Sequence, residues 1–519
     1  MGQPGQPGPA GAGAAPIRKA AALTLAAELA QPPLRRRLTG GVLAKAASQG
    51  SQVFARLAEV PLFLAAWGSG LYGEWLLVTA IPACLSLSDL GFAGAANREM
   101  AMRRARRDRD GALAVFRGAS VLILALSMGL AGLFLGSVAA LDLSALLGLQ
   151  RIGPQMLALV VLCLALKLVI ESQTRLLFGG FYCVQQYARG FLVLAAIRLG
   201  QLGAIALALI CGGGPVAVAL AMVLAELAGG VGMRLALRRR VPWLRYGLHG
   251  VRRADIAALL RPALAGMAIP LGLAVSHQGV RLVIGVMLGP AAVVVVTTHR
   301  QLTRMVSLVV SLAHPVQAEL SALYDPSDPA PFRALSRAAV RLLVRAVLAV
   351  ALGVALIGGM VFVTWTGGAV GFDTVLFGLL LAAAVAESLW LAVFPPVIAI
   401  NRHIGVARIY LLLSAVLLSC VWAAAAGGLP AIAAVLVVLE LVFFATVLRA
   451  AWQVTGDSGA QGLRAVLARA AGGGDERTTV PVQPAARRFD LDPAVVGGAS
   501  GDLFDGRALD SAVVVPCAG

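Results

Sequence analysis

The sequence is short of charged residues. Only 13% of its 519 residues are charged, well below the roughly 25% of soluble domains, and the mean hydropathy is +0.86. The charges fall in islands between apolar runs of about 20 residues, the length that a helix needs to cross a bilayer. An ordinary soluble domain is therefore excluded, and the sequence predicts an integral membrane protein built from helices.

Acidic residues and cysteines are also scarce. There are 25 acidic residues against 43 basic ones, which gives a net charge of +18. A nucleic-acid partner would account for such a charge, but the arginines lie in loops beside apolar runs, where the positive-inside rule explains them. The six cysteines include no CxxC pair. The sequence therefore predicts no nucleic-acid partner, no metal site and no cofactor.

About twelve apolar runs follow one another with short loops between them. The two halves share a pattern, because Pro215 and Pro430 each open a run that carries a single acid, Glu226 or Glu440. The sequence thus predicts an all-α integral membrane protein with about 12 transmembrane helices, arranged as two six-helix lobes; the family resemblance described below implies that they surround a central cavity. The runs lie near residues 40–66, 75–96, 113–140, 155–178, 188–211, 215–236, 262–285, 291–316, 342–365, 374–396, 407–427 and 430–450.

The placement of the arginines predicts the orientation. Alternate loops carry clusters such as Arg98–Arg109, whereas the opposite loops are nearly free of basic residues apart from Arg151. Both termini are therefore expected in the cytoplasm. The predicted parts are a cytoplasmic tail at 1–38, a first lobe at 39–237, a basic connector at 238–261, a second lobe at 262–450 and a disordered cytoplasmic tail at 451–519.

Several ionisable side chains fall inside the apolar runs, where each costs about 2.5–3.5 kcal/mol to insert. Lys167 can pair with Glu171, four residues away on one helix face, and Arg56 can pair with Glu59. Cations without such a neighbour indicate either an anionic ligand or acids on other helices. The candidate cavity cations are Arg56, Lys167, Arg198, Arg281, Arg300 and Arg304. The acids Glu226, Glu387 and Glu440 could be those partners, or could bind a coupling proton or sodium ion.

The first hairpin resembles a known family. Leu71-Tyr72-Gly73-Glu74-Trp75 is followed by an apolar run, then by Ser88-Asp89-Leu90-Gly91-Phe92-Ala93 and an arginine-rich loop. This pattern resembles the polysaccharide-biosynthesis transporters, which are Wzx-type O-antigen and exopolysaccharide flippases of the multidrug/oligosaccharidyl-lipid/polysaccharide (MOP) superfamily. One departure is that Gly289 is followed by Pro290 and Ala291, without the tyrosine that is usual in this family.

The resemblance implies a cavity that opens alternately to either side of a bacterial inner membrane. The implied cargo is undecaprenyl pyrophosphate bearing an oligosaccharide, for surface polysaccharide biosynthesis. Membrane lipids and the polysaccharide polymerase machinery would be its partners. Arginine suits such a cargo because its planar fork binds phosphate oxygens bidentately. Since no chemical bond changes, the expected protein is a transporter and not an enzyme.

Two other functions compete with the flippase. A multidrug or small-molecule antiporter of the same superfamily would be expected to place acids in the cavity, and the excess of mid-span arginine argues against it. A membrane glycan polymerase, ligase or glycosyltransferase would need a large outer loop, and these loops are short. The sequence-based prediction is therefore the flippase, with the antiporter as its alternative.

Overall fold

The computed structural model describes residues 32–105, 107–184, 186–247, 269–313, 320, 329–400 and 403–456. These residues form helices, turns and short connections, without a strand. Most of the predicted tails at 1–38 and 451–519 and much of the connector at 238–261 lie outside the described residues. The described parts of the tails are helical at 32–38 and at 451–455, where the sequence places no helix. The lobe boundaries therefore stay a prediction.

The described residues of the first half form six helices, one of which is short. They are α1 (Pro32–Ala105), α2 (Arg109–Ala140), α3 (Leu143–Leu146), α4 (Pro154–Cys183), α5 (Tyr187–Ile210) and α6 (Pro215–Arg238).

The described part of the second half begins with the helical residues 269–274, which lead into a π-helical turn, Val275–Gly279, and it includes a 3₁₀ segment, Arg304–Ala313. Its α-helices are α7 (Val280–Leu288), α8 (Pro290–Thr303), α9 (Ala330–Thr366), α10 (Thr374–Val393), α11 (Pro395–Ala399), α12 (His403–Ala424) and α13 (Gly428–Thr455).

Helix α1 is a hairpin of two membrane-length arms. Gly68 breaks it with φ 67° and ψ 178°, a conformation that only glycine adopts readily. The rings of Phe63 and Trp75 lie 6.0 Å apart, whereas a straight helix would separate these positions by about 18 Å along its axis. The predicted first hairpin is therefore present. Gly289 makes the same turn between α7 and α8, with φ 85° and ψ 171°.

Glu74 ties this hairpin to the loop between α3 and α4. Its Oε1 accepts hydrogen bonds from the backbone N–H groups of Gln150 and Arg151, both at 3.0 Å, and its Oε2 accepts from Ile152 at 2.8 Å. The side chain is buried, so these bonds replace its hydration. We call this end of the bundle, which holds the turns at Gly68 and Gly289, the arginine-poor end.

The helices pack as two groups that meet along α1. Helices α1, α2, α4, α5 and α6 pack on one another, and α8, α9, α10, α12 and α13 form the second group. Between the groups, Trp365 Nε1 donates to Leu57 O at 2.7 Å, and Leu77 fills the space beside Gly285. With two arms in α1, this arrangement confirms the predicted all-helical, two-lobe membrane fold.

Helix α9 is longer than predicted. The sequence places its start near residue 342, but the helix begins at Ala330 and runs for 37 residues. The arginines that precede residue 342 indicated a loop. Arginine, alanine and leucine all favour helix, however, and proline is tolerated in a first turn. A length of about 55 Å exceeds the roughly 30 Å of hydrocarbon in a bilayer. Helix α9 therefore extends past the hydrocarbon.

Candidate functional site

An ion pair from the first lobe lies at the cleft between the lobes. Arg198 Nη2 on α5 is 3.3 Å from Glu59 Oε1 on α1, and Arg198 Nη1 donates to Gln201 Oε1 at 2.7 Å. Glu59 therefore pairs with a neighbouring helix and not with Arg56, its predicted partner. The guanidinium of Arg56 has no carboxylate within 4.0 Å among the described residues, and Arg56 is exposed.

Arginines of both lobes meet at this point. Arg304, in the second lobe, and Arg198 both interact electrostatically with Arg56. Gln301 of α8 donates a hydrogen bond to the backbone oxygen of Arg56, which fixes the first arm of α1 against the second lobe. We call Arg56, Arg198 and Arg304 the cleft arginines. Their mutual repulsion favours an anion between the lobes.

A second cluster lies in the second lobe around the π-helical turn. His277 Nε2 is 3.3 Å from Glu387 Oε1 of α10, and Arg304 Nη2 is 3.9 Å from the same oxygen. Arg300 Nη2 is 2.7 Å from His277 Nδ1. The apolar run at 291–316, which holds Arg300 and Arg304, has no acid of its own, and Glu387 of α10 supplies one. Single π turns inside helices occur frequently at functional sites.

Glu440 is the least compensated acid among the described residues of this lobe. It is buried, and its Oε2 accepts a hydrogen bond from Trp390 Nε1 at 2.9 Å. It makes no ion pair within 4.0 Å among the described residues, although Glu387, Arg300 and Arg304 interact with it electrostatically. The buried hydroxyl of Tyr410, which also interacts with Glu440, makes no hydrogen bond with the described residues.

The remaining predicted residues lie in two places. Lys167 Nζ pairs with Glu171 Oε2 at 2.6 Å, and Arg175 pairs with the other oxygen at 2.5 Å. Glu226 interacts electrostatically with this group and with Thr174. Arg281 of α7 interacts electrostatically with Tyr72 of the hairpin and with Arg300.

Three polar residues of the site were not predicted. Gln201, Trp390 and Tyr410 are neutral, so a search for buried charge passes over them. The spacing of Gln201, three residues after Arg198, was a usable signal because such residues share a helix face. Trp390 and Tyr410 are brought to Glu440 by the packing of three helices, and local spacing does not show that.

Comparison with known proteins identifies the fold. An inward-facing multidrug resistance MATE family transporter of the MOP superfamily has a TM-score of 0.59 and 16% identity, over 81% of this chain and 98% of that chain. An outward-facing multidrug resistance MATE family transporter of the MOP superfamily has a TM-score of 0.56 and 18% identity, over 81% of this chain and 96% of that chain. A MOP superfamily transporter from Pyrococcus furiosus has a TM-score of 0.55 and 16% identity, over 82% of this chain and 97% of that chain. Its binding pocket is described as having reverse polarity, which suggests a different function. No protein-family model and no curated protein matches.

Identities this low define the fold alone. The chain is therefore a multi-pass membrane protein with the two-lobe helical fold of MATE transporters in the MOP superfamily. These structural neighbours are transporters and not enzymes.

Proposed function

We propose that this chain is an alternating-access transporter whose cleft binds an anionic cargo. The observation that carries this proposal is Arg56, an arginine at the lobe interface that interacts electrostatically with two further arginines and has no carboxylate within 4.0 Å among the described residues. Because Arg56 and Arg198 belong to one lobe and Arg304 to the other, an anion held among them would contact both lobes. Its binding would therefore depend on how far apart the lobes are.

A small-molecule antiporter is the first cargo class. The structural neighbours include multidrug resistance transporters in inward- and outward-facing conformations, which supports alternating access here. The neighbour described with a pocket of reverse polarity supports the idea that this fold accepts pockets of different charge. The cleft arginines then favour anionic amphiphilic compounds over the cationic compounds that acids would attract.

A lipid-linked oligosaccharide flippase is the second cargo class. The resemblance of the Leu71–Trp75 hairpin and the cleft arginines both support it, because guanidinium forks suit a diphosphate. In this case the chain would act in a bacterial inner membrane with both termini in the cytoplasm, beside the polysaccharide polymerase machinery.

Deletion of the gene separates the two cargo classes. For the antiporter we expect normal surface polysaccharide and greater sensitivity to anionic amphiphilic compounds, measured as growth inhibition. For the flippase we expect lipid-linked repeat units to build up on the cytoplasmic side, measured by mass spectrometry of extracted lipids. Re-expression of the wild-type chain should reverse the phenotype. A deletion strain that is normal in both measurements would contradict an exporter with an anionic cargo.

We also propose that buried acids couple transport to an ion. Glu440 is the strongest candidate, because its one hydrogen-bond donor, Trp390, is neutral and no cation of the described residues pairs with it within 4.0 Å, so it can gain and lose a proton without breaking an ion pair. Glu440 is surrounded by polar and charged groups from neighbouring helices. They are Trp390 and Glu387 from α10, Tyr410 from α12, Arg300 from α8 and Arg304. Glu387 is held by His277 and Arg304, and Glu226 is the corresponding candidate in the first lobe.

Glu440→Gln tests this coupling. Glutamine keeps an oxygen for the Trp390 bond but cannot change its charge, so we expect transport that no longer responds to an imposed pH gradient. Uptake of the identified cargo into proteoliposomes, with and without a pH gradient, measures this. Asp142→Asn, at an exposed acid between α2 and α4, should respond as the wild type does. A response of Glu440→Gln equal to that of the wild type would exclude Glu440 from coupling.

A further inference from the structure

Two neighbouring carbonyl oxygens of α1 accept hydrogen bonds from the other lobe. Trp365 Nε1, on α9, donates to Leu57 O at 2.7 Å. Gln301, on α8, donates to the oxygen of Arg56. The two donors lie 308 and 245 positions from their acceptors in the chain, so both bonds depend on how the lobes are placed. The second lobe therefore docks on the backbone of α1 at this point.

Pro61 explains why the oxygen of Leu57 is available. It lies inside α1, four residues after Leu57, where an N–H group would close that turn of the helix. Proline has no N–H group, so the Leu57 oxygen has no donor at the usual place. Within a membrane such a carbonyl needs a donor from a neighbouring helix, because hydrocarbon supplies none. The indole N–H of Trp365 supplies it here.

Aromatic packing holds Trp365 in the second lobe. Its ring lies 6.3 Å from that of Phe362, which is fully buried three residues earlier in α9. The ring of Phe362 lies 5.4 Å from that of Phe372 and 4.2 Å from that of His299 on α8. Trp365 therefore moves with the second lobe, whereas Leu57 belongs to α1, which packs on α5 in the first. A change in the relative position of the lobes breaks their hydrogen bond.

The contact lies near the middle of the membrane. Leu57 precedes the turn at Gly68 by 11 residues, which is about 16 Å along the helix, or roughly half of the hydrocarbon thickness. The adjacent residue, Arg56, is one of the cleft arginines. Because Leu57 and Trp365 belong to different lobes, an opening of the cleft from this depth to the arginine-poor end separates them.

We propose that Trp365 and the Leu57 oxygen form a latch that keeps the cleft closed toward the arginine-poor end, on an acceptor that Pro61 leaves free. While the lobes touch, the indole N–H replaces the helical bond that proline removes. Separation of the lobes leaves the Leu57 oxygen without that donor, so the bond favours the closed conformation. The latch involves no charged side chain, so it does not depend on which cargo the chain transports.

The test is a double-mutant cycle on the full chain in liposomes. Spin labels at Ala145→Cys and Ala369→Cys, in a background without the six native cysteines, measure the ratio of open to closed molecules at the arginine-poor end. Trp365→Phe keeps an aromatic ring and removes the N–H group, so we expect the ratio to rise about 2- to 12-fold. In the background Pro61→Ala, residue 61 has its own N–H group for the Leu57 oxygen. There Trp365→Phe should change the ratio by less than about 2-fold.

Trp67→Phe is the matched control. The indole N–H of Trp67 also donates to a backbone oxygen, that of Gly213 at 3.1 Å, but both residues belong to the first lobe. The ratio should therefore keep its wild-type value, and the melting temperature in detergent shows whether each variant is folded. If Pro61→Ala does not fold, the comparison of Trp365→Phe with Trp67→Phe still decides. A wild-type ratio in Trp365→Phe, equal shifts in both tryptophan variants, or the same effect of Trp365→Phe with and without Pro61 would overturn the proposal.

Discussion

Arg198→Ala is expected to abolish transport while the protein still inserts in the membrane. The change removes one of the cleft arginines and leaves Glu59, its partner at 3.3 Å, without a counter-ion. Hydrogen bonds to charged groups contribute about 1.5–3 kcal/mol, which corresponds to roughly a 10- to 150-fold loss of affinity for an anion. The loss of anion affinity is measured by calorimetric titration with inorganic pyrophosphate. The loss of transport is measured by whether the variant reverses the deletion phenotype. Arg198→Lys should keep part of both.

A double variant separates ligand binding from a purely structural role. If Arg198 only neutralises Glu59, then adding Glu59→Gln to Arg198→Ala should restore pyrophosphate binding and transport. If Arg198 binds the cargo, the double variant should stay inactive. Arg189→Ala is the matched control, because Arg189 lies on the same helix, α5, and among the described residues its guanidinium bonds only to Gln186. Full activity of Arg198→Ala would remove Arg198 from the binding site.

Gly285→Leu is expected to hold the arginine-poor end of the cleft open. Leu77 of α1 occupies the space where a side chain at position 285 would lie, and Leu77 is itself fully buried. Overpacking such a contact costs about 1–3 kcal/mol. Applied to the closed state alone, this cost shifts the open–closed equilibrium by about 5- to 150-fold. Spin labels at Ala145→Cys and Ala369→Cys, one in each lobe, should report a longer distance, with Cys211 replaced by serine beforehand.

The same contact offers its own rescue. In the variant L77A/G285L the two sizes are exchanged, so closure and transport should recover. Gly353→Leu is the control, since nothing lies within 4 Å of a Cβ at that position of α9. A wild-type distance in Gly285→Leu would mean that the lobes do not separate at Leu77.

The fold could be predicted because its main signals are local. Apolar runs of membrane length, a glycine at each tight turn and arginines on alternate loops define the helices without reference to other parts of the chain. The start of α9 was predicted too late for a local reason as well. The arginines at 333–341 indicate exposure to solvent, and an exposed segment beside an apolar run was predicted to be a loop, although it is helical. The π-helical turn at Val275–Gly279 has no sequence signal, because a single wider turn leaves the hydrophobic period almost unchanged.

The site could be predicted only where its contacts lie within one helix. The Lys167–Glu171 pair follows from their spacing, and its atoms are 2.6 Å apart. The Arg198–Glu59 pair joins helices whose residues are 139 positions apart, so the distance depends on how α1 packs against α5. Sequence spacing therefore suggested Arg56 as the partner of Glu59 and left Arg198 alone. The sequence identified which charged side chains lie within the membrane-spanning helices, but not which of them contact one another.

Glu74 also constrains the order of events during synthesis. Its carboxylate is buried against backbone N–H groups that follow it in the chain by 76 to 78 residues. At translation rates of 5–20 residues per second, those groups emerge roughly 4–15 s after Glu74 does. Until then the first hairpin carries a charge with no partner from that loop. The hairpin thus gains its final stability only when the end of α3 and the start of α4 arrive, so the first four spans are expected to mature as one unit.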